Sequence, residues 1–373
     1  MVRYSKLPFR LLARDYHTDV TYTPMILAHE FIRSHVARDS DFTTHPLERE
    51  PTSDGRRHVL IAQFAAADPE DFARATDLIA PWVDGVNLNC GCPQSWAIKE
   101  GIGCSLMDHP ETVARMVRAA RAKLSPEKSV SVKIRISRDL EVTKRWVDVV
   151  QAAHVDYITI HGRTRSQRSS TPPDYEAIRI LKEYASVPIV ANGDAYTLSG
   201  VNEIAKKTGV DGVMAARGML ENPAIFAGFD LTPVECVQKF LSYAVRCPIP
   251  FPLVLHHVVE MTGKRQDMNK AERKRLMECQ DLLDLIDFLD AKWGLRSQEQ
   301  LEADAIALTT AAMNLSGPQE HEEVEAPPQQ QDVEGYMRDG MVPTDTGSLE
   351  QFEEEIQSKD LDELLKSAGY SVG

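Results

Sequence analysis

The chain is 373 residues long, 43% hydrophobic and 26% charged, with a formal net charge of -14. That composition is ordinary for a soluble protein and sufficient for one large domain plus a smaller one, and no apolar run nears the ~18 residues of a membrane-spanning helix. The acidity does not exclude a nucleic-acid partner: from Ser316 onward 15 Asp/Glu face 3 Lys/Arg, so the preceding 315 residues carry 41 acidic and 39 basic side chains, a net of -2.

In chain order, Met1 to Arg10 reads as a loop running into a helix over 8–16. Strand candidates follow at 20–25, 58–64, 85–90, 129–136, 157–162, 188–193 and 212–218. Helix-patterned stretches lie between them, for example 110–124, 139–153 and 197–208, the first opened by Pro110, Glu111 and Thr112 after Asp108. This alternation, at roughly 25–35 residues per unit, predicts a TIM (β/α)8 barrel over residues 1–230. Seven strands are one short of closure. The absent one is the first, and an open parallel barrel would expose strand edges and core. The expected fold is therefore a barrel lacking its first strand.

After Phe229 the helical period takes over, at 233–245, 252–262, 269–291 and 297–313, and predicts a small all-helical domain over 231–315. Lys264, Arg265, Lys270, Arg273, Lys274 and Arg275 place six cations in twelve residues, against Asp267 and Glu272. They form either a solvated helix face or a phosphate-contacting surface. Residues 316–373, rich in Pro, Gln and Glu, are expected to be a disordered acidic tail, with a short amphipathic helix over 361–366.

Polar residues recur where the strands end: Gln63, Asn89, Cys92, Lys133, Arg135, His161, Arg163, Asn192, Asp194 and Arg217. All strand C-termini of a barrel open on one face, so these groups converge on one site. Asn192-Gly193-Asp194 and Ala216-Arg217-Gly218 close the last two strands, where barrels commonly bind phosphate. Lys133, on a strongly apolar strand, needs an anionic partner or a functional reason. No Gly-x-Gly-x-x-Gly opens a helix, which argues against a Rossmann domain. The six Cys (Cys90, Cys92, Cys104, Cys236, Cys247 and Cys279), without a secretory signal, fit a reduced intracellular setting, cytoplasm or nucleus. Cys90 and Cys92 lack a second Cys pair, so no metal site is expected. Cys90 reads as core. Cys92, in the Gly91-Cys92-Pro93 turn, reads as a presented thiol.

With Asn87-Leu88-Asn89-Cys90-Gly91-Cys92-Pro93-Gln94, Lys133-Ile134-Arg135, His161-Gly162-Arg163-Thr164, Asn192-Gly193-Asp194 and Ala216-Arg217-Gly218, residues 1–300 resemble the tRNA-dihydrouridine synthases. Within them the likeness is to the eukaryotic subgroup acting on D-loop positions 20a and 20b. The resemblance implies an FMN enzyme that reduces uridine in tRNA with NADPH, the target base being flipped onto the flavin. It places FMN against Met1, Val2, Gln63, Lys133, His161, Asn192, Gly193, Asp194, Ala216 and Arg217. Lys133 would face the charge near N1 and C2=O, and Gln63 would face the pyrimidine edge. Hydride goes to C6 of the uracil, and Cys92 matches the donor of the proton to C5. Substrate contacts are expected from Asn89, Arg135 and Arg163, and from Lys264, Arg265, Arg273 and Lys274 of the helical domain, which holds tRNA in the family. A monomer free of membranes is expected. In the family a strand ending in Ala-Pro-Met precedes a segment like 2–10, so Met1 matches that Met and the chain is expected to be N-terminally truncated. Two other functions remain: an inactive tRNA-binding or scaffold homologue, or an FMN barrel acting on a free pyrimidine or an enone.

Overall fold

In chain order the first elements of the computed structural model are helix α1 (Leu7–Asp15) and two short strands, β1 (Val20–Tyr22) and β2 (Ile26–Leu27). The structure describes residues 3–51 and 55–295, all within one compact unit. Met1 and Val2, the helix expected at 297–313 and the tail from 316 lie outside the described residues.

After β2 come α2 (Ala28–Arg33), α3 (His35–Asp41), β3 (Val59–Ala65), α4 (Pro69–Ile79), β4 (Gly85–Cys90), α5 (Ser95–Lys99) and α6 (Pro110–Arg121). The alternation continues with β5 (Ser129–Arg135), α7 (Leu140–Gln151), β6 (Tyr157–His161), α8 (Tyr175–Tyr184), β7 (Ile189–Asn192), α9 (Leu198–Thr208) and β8 (Gly212–Met214). The strands pair in parallel, in the order β1-β3-β4-β5-β6-β7-β8. This is a TIM-type barrel of seven staves, and among the described residues no pairing joins β8 to β1.

The strand expected at 20–25 is one stave broken in two. β1 pairs with Val59–Ile61 and β2 with Phe64–Ala65 of the same neighbour. Pro24 has no N–H for the ladder, and Thr23 instead turns its Oγ1 to accept from the Gln63 backbone N–H at 3.0 Å. The last strand stops at Met214 rather than 218, because the chain turns at Ala216 into the short helix α10 (Arg217–Glu221).

Period two divides each stave into a helix-facing and an inward side. Leu60, Ala62 and Phe64, Val86, Leu88 and Cys90, Val130, Val132 and Ile134, and Ile158 and Ile160 belong to the apolar core under the helices. The alternate positions carry Gln63, Asn87, Asn89, Ser131, Lys133, Arg135, Tyr157, Thr159 and His161.

Beyond the barrel lie α11 (Val234–Arg246), α12 (Phe251–Thr262), α13 (Lys270–Met277) and α14 (Leu282–Trp293). The single helix expected over 269–291 is thus two. Asp281 caps α14 by accepting from the Asp284 N–H at 2.9 Å, and Arg275 closes the corner on the Asp284 carboxylate. Phe9 and Leu12 of α1, with Tyr16 just after it, pack with α11 and α12 in a second apolar core, so the N-terminal helix ties the helical region to the first stave. None of the described helices is long and apolar enough to cross a membrane.

His257 of α12 is fully buried in that second core, stacked on Phe9 at 4.5 Å and edge-on to Phe240 at 5.2 Å. Neither ring nitrogen has a partner, and burial pushes the imidazole down to about 3. In the unfolded chain it takes a proton near pH ~6.5. A proton bound only by the unfolded state removes stability as pH falls from there toward 3. Between pH 7 and 5, above most carboxylate titration, this one group should cost about 2 kcal/mol. The melting temperature of wild type should therefore fall over this interval by several degrees more than that of His257→Leu. Parallel losses in the two would show that His257 is not the source.

Candidate active site

The inward polar positions open on a cavity of about 700 Å³ lined by Gln63, Asn89, Cys92, Lys133, Arg135, His161, Asn192 and Ala216, together with Met25, Tyr22 and Tyr157. Cys92 follows the end of β4. Cys90 instead points into the helix-packed core, where burial pushes its thiol far up. The turn between them is held by Asn89, whose Oδ1 accepts from the N–H groups of Gly91 at 3.0 Å and Cys92 at 2.9 Å. Cys92 packs on Met25, Ala65, Ala97 and Ile102, and its Sγ lies 3.7 Å from the Gln94 Oε1.

Two further features fix the Cys92 loop. Arg135 donates from Nε to the Gly91 carbonyl at 2.9 Å and from Nη1 to the Thr164 carbonyl at 3.0 Å, clamping the loop after β4 to the loop after β6. The Cys104 N–H donates to the Cys92 carbonyl at 2.9 Å. This close return requires Gly103: its φ is +60°, and a Cβ there would stand 2.6 Å from the Cys92 carbonyl oxygen.

Lys133 lies two residues before Arg135, on the same inward face. Among the described residues no carboxylate and no hydrogen-bond acceptor pairs with it. Burial first, then Arg135, holds its ammonium down to about 8. His161 is driven further, to about 2, by burial and by the surrounding Lys133, Arg135, Arg163 and Arg217, and is therefore neutral. A neutral imidazole and a partnerless ammonium among several cations leave the surroundings of Lys133 electropositive, although Asp19, Asp156 and Asp211 line the cavity elsewhere.

Behind the cavity wall stands a second layer. Asp194 accepts from Arg163 at 2.5 Å through Oδ2 and from Arg217 at 2.6 Å through Oδ1. Arg163, 2% exposed, also donates to the Ser169 carbonyl at 3.1 Å, and its Nη1 lies 3.2 Å from the His161 ring. Asn192 ties β7 to β8 by donating to the Met214 carbonyl at 2.9 Å. Gly193, with φ +143°, has no room for a side chain: a Cβ would come within 2.7 Å of Pro173.

A protein-family model described as dihydrouridine synthase (Dus) matches residues 1–305. The chain belongs to the dihydrouridine synthase family. It is 44% identical over 300 residues to a Schizosaccharomyces pombe protein named tRNA-dihydrouridine(20a/20b) synthase (NAD(P)+), covering 80% of this chain and 88% of that one. The Saccharomyces cerevisiae protein of the same name is 41% identical, with 78% and 77% covered. A human protein, named as like that synthase, is also 41% identical, with 79% and 90% covered.

For this dihydrouridine synthase family member, the structure brings together most of the site residues expected from sequence. Gln63, Asn89, Cys92, Lys133, Arg135, His161, Asn192 and Ala216 share the cavity, while Arg163, Gly193, Asp194 and Arg217 buttress it. Met1 and Val2 fall outside the described residues. The helical-region cations divide. Arg265 is held by Asp267 and the Thr232 carbonyl, and Arg273 by the carbonyls of Thr262 and Gly263 at the end of α12. Lys264 pairs with Glu221 and lies over the Tyr196 ring at 5.3 Å, beside Arg217 over the same ring at 5.6 Å. Lys274, near Glu278, stays largely exposed. Sequence reading missed Asn87, Ser131, Tyr22 and Tyr157, although the period-two spacing of Asn87 and Asn89 already places both on one face.

Gly103→Ala should destabilise the fold by about 1–3 kcal/mol, because the site combines positive φ with a backbone clash. Chemical denaturation measures this. An unchanged midpoint would mean that the Cys92 loop is freer than the contact implies.

Proposed function

We propose that the chain reduces a uridine of tRNA to 5,6-dihydrouridine, with FMN bound in the cavity and NADPH as the reductant. The observation that carries this reading is the unpaired Lys133 ammonium facing the same cavity as the Cys92 thiol. An anionic group suits Lys133, since it would supply the counter-charge that the described residues do not. The donor set fits a flavin mononucleotide. Amide N–H groups of Gln63 and Asn89 suit the carbonyl-rich edge of the ring system. Asn192 at the end of β7, Gly193 just after it and Ala216 after β8, backed by Arg217, lie where a barrel suits a phosphate.

FMN, when bound, supplies two-electron reducing chemistry, delivering hydride to C6 of the uracil. The chain supplies the rest. Cys92 gives its thiol proton to C5, so that H⁻ and H⁺ together saturate the C5–C6 bond. Asn89 and Arg135 hold the loop that aims the thiol, and the apolar Met25, Ala97 and Ile102 around it keep water away. His161, neutral at all working pH, can accept or donate a hydrogen bond without adding charge. The exposed Lys264 and Lys274 suit tRNA phosphates, whereas Arg265 and Arg273 support the helices that carry them.

The test is direct. Purified protein with FMN, NADPH and unmodified tRNA should form dihydrouridine, quantified by mass spectrometry; a folded, yellow protein that forms none would sink the proposal. Cys92→Ala should keep FMN and lose turnover by about 100-fold or more. Unchanged turnover would remove the thiol from the mechanism. Binding of tRNA should weaken steeply with salt despite the acidic chain, and a flat response would count against Lys264 and Lys274 as phosphate contacts.

A further inference from the structure

Four buried side chains on three neighbouring strands form one hydrogen-bonded line. Asn89 Nδ2 donates to Gln63 Oε1 at 3.0 Å. Gln63 Nε2 donates to Asn87 Oδ1 at 2.9 Å, and Asn87 Nδ2 donates to Ser131 Oγ at 2.9 Å. Their exposures are 8%, 3%, 0% and 0% in the order Asn89, Gln63, Asn87, Ser131. Gln63 and Asn89 line the cavity, whereas Asn87 and Ser131 do not.

The direction of this line is not free. It starts at the backbone N–H groups of Gly91 and Cys92, which can only donate, so Asn89 must turn Oδ1 toward them. Its amide nitrogen then faces Gln63, which must answer with its oxygen. The Gln63 nitrogen is thereby turned to Asn87, which must answer with oxygen in its turn. Reversing any one amide would set donor against donor or acceptor against acceptor in a buried site. The Ser131 hydroxyl accepts from Asn87 and donates on to the Val86 carbonyl at 3.3 Å, so the line ends on a backbone acceptor.

We infer that Asn87 is a positioning residue for the reaction: it holds the Gln63 amide in one orientation toward the cofactor cavity, in register with the loop that presents Cys92. What reaches the ligand is the remaining N–H of Gln63 and the remaining N–H of Asn89, a donor pair matched to carbonyl acceptors. This rests on the flavin reading of the cavity, whose ring edge would receive those donors.

The test compares two substitutions of nearly the same size, against wild type. Asn87→Leu removes the acceptor and leaves the Gln63 N–H unpaired in the interior. Asn87→Asp keeps an acceptor for Gln63, whether ionised, with Ser131 rotating to donate, or protonated, with its O–H replacing the amide donor. Asn87→Leu should bind FMN about 10-fold or more weaker and shift the visible flavin spectrum. Asn87→Asp should restore both to within about threefold of wild type, as a polarity requirement demands and a packing requirement does not. Equal FMN affinity and spectra for Asn87→Leu and wild type would overturn the inference, as would folded Asn87→Asp that fails as badly as Asn87→Leu. A wild type that binds no FMN would instead refute the flavin reading. The line is then read without cofactor, from the exchange of the Gln63 carboxamide protons by NMR: slow in wild type and Asn87→Asp, fast in Asn87→Leu. Equal exchange in all three would overturn the inference on its own.

Discussion

Everything at this site depends on the two faces of each stave. The helix-facing side is almost wholly apolar, and the inward side carries the polar residues: Gln63 on β3, Asn87 and Asn89 on β4, Ser131, Lys133 and Arg135 on β5, and Tyr157, Thr159 and His161 on β6. Apolar burial under the helices holds the strands in register, and the register then forces amides, hydroxyls and cations into a shared interior. There each group must find a partner or carry a desolvation cost. Gln63, Asn87, Asn89 and Ser131 solve this among themselves, and Tyr22 and Tyr157 meet hydroxyl to hydroxyl at 2.7 Å. Among the described residues Thr159 Oγ1 and Lys133 find no partner there, and of the two only Lys133 carries a charge, which marks the site.

The same logic separates what was legible in the sequence from what was not. The alternation in Ser129–Arg135 and Gly85–Cys90 survives in any environment, because it is set by the strand repeat, and the Gly91-Cys92-Pro93 turn that ends it separated Cys90 from Cys92. The Asn192-Gly193-Asp194 turn was legible because its backbone conformation demands those residue types. The structural engagement of the arginines was not. Arg135 and Arg163, expected to touch substrate, also hold loop carbonyls and Asp194. A cation at a strand end looks the same in sequence whether it meets a ligand or a loop. The break at Pro24 was visible in principle, whereas the break between α13 and α14 rests on the tertiary pairing of Arg275 with Asp284.

The helical region joins the barrel through α1 rather than through a linker. Phe9 and Leu12 enter its core, Tyr243 donates to Asp15 at 2.9 Å, and the buried pair of Arg10 and Glu48, at 2.6 Å, anchors the other side of the same helix. Removing one member of such a pair strands the other's charge, so α1 has little freedom to shift.

The distribution of the two cation types follows from their chemistry. Each arginine near the site is multiply engaged: Arg135 with Gly91 and Thr164, Arg163 with Asp194 and Ser169, Arg10 with Glu48 and Ser5. A planar fork that never loses its charge can be buried only where several acceptors meet it. Among the described residues, the cavity-facing cation without a partner is a lysine, and its ammonium is already held down to about 8. A lysine in that position lowers its cost by giving up its proton part of the time, and regains full charge when an anion arrives. An arginine at 133 would stay charged and reach for the nearest carbonyls, as Arg135 does, and so become another clamp. The ligand-facing position thus requires a cation that can wait unpaired, and of the two only lysine meets that requirement.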